Sequence, residues 1–236
     1  MSPSVERCLV LTYLSRHMSR RSGRLAGLVS ALAIMVSSCV TGTWTGNNAD
    51  PSVVVIGDSL VFISERSGPG GTETWITDDL VAGGAYGYVT GWIGSTLWLG
   101  YEVAWESPSR QGIIPDVLVV ALGTNDMRIF PGETEPGGDV EKSRLDIKAW
   151  LAEVPAACVV LVGVAENIWG WGLDVSGPAW NAMLADEAAL HANATYVPWE
   201  PDLAWVSGGS QPHPNSVGRV AYRDLIVAEA LDCAGL

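Results

Sequence analysis

Basic side chains are scarce in this chain. Its 236 residues include 13 Lys and Arg against 26 Asp and Glu, a formal net charge of −13. That balance argues against nucleic acid or anionic lipid as a partner. Histidine is scarcer still, with three in all. No Cys/His cluster has metal-ligand spacing, so neither a metal nor another cofactor is expected. The glycine-rich stretch 68–72 lacks the Lys-Ser/Thr ending of a phosphate loop. The apolar run 25–36 is too short for an ordinary membrane span.

What precedes residue 39 reads as an export signal. Arg20, Arg21 and Arg24 form a basic region, the apolar run follows, and Val36-Ser37-Ser38-Cys39 closes it. The last four residues resemble a bacterial lipobox, in which the cysteine receives lipid. Residues 1–38 are therefore expected to be a signal peptide, with Met18 as an alternative start. Cys39 is the expected lipidation site, and 39–50 a tether rich in Thr, Gly and Asn. A plain signal peptide and secretion are the alternative. Without residues 1–38 the chain keeps 8 basic and 25 acidic residues, a net −17. Residues 51–236 suffice for one domain with a single core.

Of the four cysteines, Cys8 lies in the leader and Cys39 in the lipobox. Cys158 opens an apolar strand and Cys233 closes the last helix. In a parallel α/β layout a helix runs back to the edge where strands begin, so these two could meet, and an exported compartment permits a disulfide. Two separate thiols are the other possibility.

Strands are expected at 52–56, 86–90, 116–122, 158–164 and 195–199. Helices are expected at 73–82, 96–105, 140–154, 178–191 and 216–231. The strands are apolar on both faces and alternate with helices. That pattern predicts a three-layer α/β/α sandwich around a central parallel sheet. Ligands bind such sheets at the carboxyl ends of the strands. Ser59, Asn125 and the segment 166–171 follow strands directly, and His213 precedes the last helix, so all of them map to one rim.

Four short motifs stand in order: Gly57-Asp58-Ser59-Leu60, an isolated Gly94 in Ile93-Gly94-Ser95-Thr96, Gly123-Thr124-Asn125-Asp126, and His213-Pro214-Asn215. A serine, two oxyanion-hole candidates and a histidine are what acyl transfer requires. The Ser59 context is not a G-x-S-x-G elbow, because Val61 stands at the second glycine's place. Gly57 is expected to allow a tight turn that sets Ser59 at a helix N-terminus. His191 lies near a helix end and reads as a capping or surface residue. His213, between Pro212 and Pro214, is the general-base candidate.

The four motifs resemble the SGNH (GDSL-type) hydrolase family over residues 51 to 231. The resemblance implies a flavodoxin-like α/β fold and a serine esterase. In it Ser59 would be the nucleophile and His213 the base, and Ser59, Gly94 and Asn125 would form the oxyanion hole. The family usually has an aspartate three residues before the histidine, where this chain has Ser210. A Ser–His dyad oriented by the backbone or by Ser210, a carboxylate moved to Glu200 or Asp202, and a weakened site all stay open. The expected substrate is an ester, with a cell-envelope glycan as the guess. An acyltransferase and a non-catalytic surface binding lipoprotein are the alternatives. The expected protein is an extracytoplasmic monomer that meets the membrane only through its lipid. Among the tryptophans, Trp92, Trp169, Trp171 and Trp205 map to the rim, while Trp98, Trp150 and Trp180 read as packing residues.

Overall fold

Val, Ile and Leu dominate the strand segments and leave no polar face, so each strand must be covered on both sides. The computed structural model describes residues 44–65, 75–100, 114–130 and 132–236, together with the backbone of 39–40. All of these but Cys39 belong to one compact unit, Val40–Leu236. The strands are β1 (Ser52–Gly57), β2 (Tyr86–Trp92), β3 (Val117–Ala121), β4 (Cys158–Val162) and β5 (Ala194–Val197). They run parallel in the order β2-β1-β3-β4-β5. This is the expected three-layer fold with a flavodoxin-like strand order.

The helices are α1 (Ser59–Glu65), α2 (Ile76–Ala82), α3 (Val140–Glu153), α4 (Leu173–Leu190) and α5 (Ser216–Ala234). Helices α1, α2 and α5 pack on one another, as do α3 and α4. Ile147, Trp150 and Leu151 of α3, with Val154 just past its end, lie over Leu118, Val120, Val159 and Leu161 of β3 and β4. Their strand neighbours at odd register point to the opposite face. Polar ties link the helices within each layer. Arg223 of α5 pairs with Asp79 of α2 at 2.8 Å. Arg144 and Lys148 of α3 reach the fully buried Glu187 of α4 at 3.0 and 3.5 Å. Glu65 at the end of α1 accepts hydrogen bonds from the backbone N–H and the hydroxyl of Thr77 in α2.

Cys158 at the start of β4 and Cys233 near the end of α5 form a disulfide, with a Cα–Cα distance of 5.9 Å and a sequence separation of 75. Closing a loop of that length restricts the unfolded chain and stabilises the fold by about 4 kcal/mol in the chain-entropy account.

Several boundaries differ from the sequence reading. Helix α4 begins at Leu173, not Pro178, because Gly172 turns left-handed after a 3₁₀ turn at Trp169–Trp171 and starts the helix there. Pro178 then lies inside α4. Helix α5 continues to Ala234, where Gly235 in the left-handed region ends it. Of the helix expected at 96–105, the described part is one turn, Leu97–Leu99, and 101–113 lie outside the described residues. The expected start of α2 at 73 also lies outside them. So do residues 1–38, and with them the signal-peptide reading. His191 is the residue that ends α4.

Among the described residues no helix is long and apolar enough to cross a membrane. Among them no group of three or more His, Cys, Asp and Glu is arranged to hold a metal ion.

Candidate active site

The site is built at the carboxyl ends of β1, β2 and β3. Directly after β1, Asp58 caps α1: its Oδ1 accepts from the Leu60 N–H at 2.8 Å, and its carbonyl accepts the first helical bond, from Phe62. Ser59 is thus the first helical residue, and its N–H has no partner inside the helix. The strand ends at Gly57 and the helix starts at Ser59, the expected tight turn, and packing adds a second constraint on Gly57. A Cβ there would lie 2.1 Å from Val61 Cγ2 and 3.1 Å from the Ala121 carbonyl, so glycine is required for α1 to fold back close against β1 and β3.

Gly94 has φ +80, a conformation that favours glycine, and a Cβ there would meet open space. Two hydrogen bonds tie the loop around Gly94 to the end of β3. Asn125 Nδ2 donates to the Ser95 carbonyl at 3.0 Å, and the Leu97 N–H donates to Asp126 Oδ2 at 3.0 Å. The first of these joins Asn125 to the residue next to Gly94, so both oxyanion-hole candidates belong to one hydrogen-bonded unit. The second assigns Asp126 a positioning job that the motif reading had left blank. Its sequence signal was only its place at the end of Gly-Thr-Asn-Asp.

From the far end of the chain, His213 Nε2 lies 2.9 Å from Ser59 Oγ, across 154 residues. Ser59 is buried and His213 half-buried. Asn215 caps α5, accepting from the Val217 and Gly218 N–H groups at 3.1 Å each. The loop before His213 is held by the backbone. Trp169 Nε1 donates to the Gly208 carbonyl at 3.2 Å, and the Asn215 N–H donates to the Trp205 carbonyl at 2.7 Å. A Cβ on Gly170 would lie 2.2 Å from the Ser210 carbonyl oxygen, so the loop at Asn167–Trp171 sits directly against the His213 loop. Sequence reasoning placed this segment on the rim but did not find that it supports His213.

None of the three candidate orienting groups pairs with His213. Ser210 Oγ donates to the Ser207 carbonyl at 2.9 Å, Asp202 Oδ1 accepts from the Ala204 N–H at 2.8 Å, and Glu200 is exposed. The ring of His213 meets Trp171 edge-on instead, with centroids 5.7 Å apart. Burial, with the guanidinium groups of Arg128 and Arg219, holds the imidazole below its ordinary value. The histidine thus has cations for neighbours where the resemblance would lead one to expect a carboxylate.

Behind the site lie buried acids. Burial pushes the Asp58 and Glu65 carboxyls up to about 7 and that of Asp126 up to about 6. Ordinary carboxyl values lie near 4. Between about pH 4 and 7 the folded chain therefore holds more protons at these groups than the unfolded chain, and stability falls as pH rises. His213, with its value lowered, works in the opposite direction, one group against three. At about 1.4 kcal/mol per pKa unit the carboxyls together are worth on the order of several kcal/mol. The expected result is a higher Tm at pH 5 than at pH 8, and a smaller difference in Glu65→Gln. A Tm that climbs from pH 5 to pH 8 would contradict this.

No family model matches the sequence, and no curated protein matches it. Solved structures do match. A carbohydrate esterase family 2 enzyme with a carbohydrate-binding domain, from Corynascus thermopiles (Myceliophthora fergusii), aligns at TM-score 0.59 and 18% identity, over 82% of this chain and 69% of that one. The fold is that of the SGNH hydrolases. A mutant acetyl-xylooligosaccharide esterase from Geobacillus Stearmophilus aligns with this SGNH-type fold at TM-score 0.58 and 16% identity, over 79% of this chain and 95% of that one. The C-terminal catalytic domain of a Streptococcus pneumoniae peptidoglycan O-acetyltransferase, carrying a methylsulfonyl adduct, aligns at TM-score 0.53 and 18% identity, over 79% and 94%.

Trp150 and Trp180 are core residues and Trp98 is 37% exposed, in keeping with core and surface packing. Trp169 is 62% exposed, while Trp92, Trp171 and Trp205 are half-buried.

Proposed function

We propose that this protein is a serine esterase that removes an acyl group from a cell-envelope glycan. The observation that carries the reading is the 2.9 Å contact between Ser59 Oγ and His213 Nε2 at the strand ends, beside the joined Gly94–Asn125 unit. In this reading His213 takes the hydroxyl proton while Ser59 Oγ attacks the ester carbonyl. The N–H groups of Ser59 and Gly94 and the Asn125 amide stabilise the oxyanion. Collapse releases the alcohol with the proton from His213 and leaves an acyl-serine. Water, deprotonated by His213, then attacks the acyl-serine, releases the acid and restores Ser59.

A fluorophosphonate probe tests the assignment. An activated serine is labelled at Ser59, whereas a binding lipoprotein that has lost turnover stays unlabelled. An acyltransferase is the second reading, favoured by the fold match to the peptidoglycan O-acetyltransferase domain. A sugar hydroxyl would then replace water, and acylated sugar rather than free acid would accumulate when acceptor is added.

Among the described residues no carboxylate pairs with His213 to stabilise its imidazolium, so Ser210→Asp is expected to raise kcat. It should also move the acid limb of the pH–rate profile upward, because a carboxylate favours the protonated ring. An unchanged kcat together with an unchanged limb would show that the backbone-held dyad is complete as it stands.

Export and attachment through lipid on Cys39 are part of the proposal, supported by the basic segment, the apolar run and the residues before Cys39. Cys39→Ser is expected to move the protein out of the membrane fraction. Wild-type protein found free in the medium and beginning after residue 38 would count against lipidation.

A further inference from the structure

Arg128 follows Met127 in the loop after β3 and is half-buried. Its guanidinium lies over two rings at once, 4.0 Å from the Trp171 centroid and 4.7 Å from that of Phe130. The backbone holds this arrangement: the Ile129 N–H donates to the Trp171 carbonyl at 2.9 Å, and the Gly137 N–H donates to the Arg128 carbonyl at 3.0 Å. Among the described residues no carboxylate pairs with Arg128, and its side-chain N–H donors have no protein acceptor. In a chain with twice as many acidic as basic residues, a fixed guanidinium with no counter-charge among the described residues needs explaining.

The same tryptophan that clamps Arg128 meets the ring of His213 edge-on. Arg128 is therefore one ring away from the base, near enough to disfavour its charged form. Chemistry fixes which end of the substrate lies there. His213 returns its proton to the leaving alcohol oxygen, so groups beside His213 flank the alcohol and not the acyl chain. A guanidinium held over two aromatic rings keeps its planar fork of N–H donors, which suits a carboxylate with two oxygens.

We propose that Arg128 binds a carboxylate on the alcohol part of the ester, so that the preferred substrate is an acylated acidic sugar. The inference rests on the esterase reading above and narrows its substrate class. A bound carboxylate would also neutralise one of the two cations that disfavour the imidazolium of His213.

The test compares two matched probes, the O-acetyl esters of a methyl glucuronoside and of a methyl glucoside, with 4-nitrophenyl acetate as the reference ester. Wild-type protein is expected to favour the glucuronoside ester in kcat/KM by about 10- to 100-fold, the scale of one charge-assisted hydrogen bond. The preference should shrink with added salt. Arg128→Gln, which keeps a planar amide for stacking but loses the charge, should remove most of it, mainly through KM. Arg128→Lys, which keeps the charge but loses the planar stack, should retain part of it. A role confined to bracing Trp171 predicts instead that both variants lose activity equally on both sugar esters. Equal wild-type kcat/KM on the two sugar esters, or a preference that survives in Arg128→Gln, overturns the proposal and leaves the esterase reading intact. If the reference ester and both sugar esters are all inert, the esterase reading fails and this inference fails with it.

Discussion

Ser59→Ala is expected to abolish ester turnover, a loss on the order of 10⁶-fold in kcat, the scale found when the nucleophile is removed from a serine hydrolase. The hydroxyl is the only atom group lost. Ser59 is buried between the cap formed by Asp58 and the body of α1, and alanine fits the first turn of a helix without strain. Folding should therefore be preserved, and an unchanged Tm would confirm that the loss is chemical. What remains at the strand ends, the amide of Asn125 and the N–H groups near Gly94, can still polarise a carbonyl for attack by water, so a trace of activity above background is compatible with the mechanism. Equal turnover of a short-chain activated ester by wild type and Ser59→Ala would remove the nucleophile assignment.

Asn125→Ala is expected to lower kcat by about 10²- to 10³-fold, with a much smaller change in KM. Two effects combine. One amide hydrogen of Asn125 is held by the Ser95 carbonyl, and the other is free to donate to the oxyanion. Alanine removes the donor and also unties the Gly94 loop from β3, leaving the Leu97–Asp126 contact as the remaining tie of the two. The donor acts on charge that develops in the transition state, so the loss should fall on kcat. A rise in KM at constant kcat would instead mean that Asn125 only binds the ground-state ester.

Much of this was legible in the chain because the signals were local and repeated. The apolar strands covered on both faces forced a parallel sheet, and a parallel sheet places its ligand at the strand ends. Gly-Asp-Ser, Gly-Thr-Asn-Asp and His-Pro-Asn each followed or preceded an element whose type was plain, so their common rim could be read without coordinates. What the chain did not show was the packing constraint on Gly57 and one helix start. Gly57 sits at the expected turn, but Val61 and the sequence-distant Ala121 also leave no room there for a Cβ. Pro178 looks like a helix start, yet a left-handed Gly172 six residues upstream sets the boundary.

The sequence by itself determined the layers, the strand ends as the place of chemistry, and the residue types available there. Through the family resemblance it also marked Ser210 as standing where an aspartate is usual. Only the tertiary structure decided what surrounds His213. The backbone of the loop at Asn167–Trp171 braces it, Trp171 meets its edge, and Arg128 and Arg219 face it in place of an acid. These groups come from three separate stretches of chain. Their mutual distances depend on how the loops after β3, β4 and β5 pack against one another, and hydrophobic periodicity, which reports only which face of an element is buried, carries no information about that.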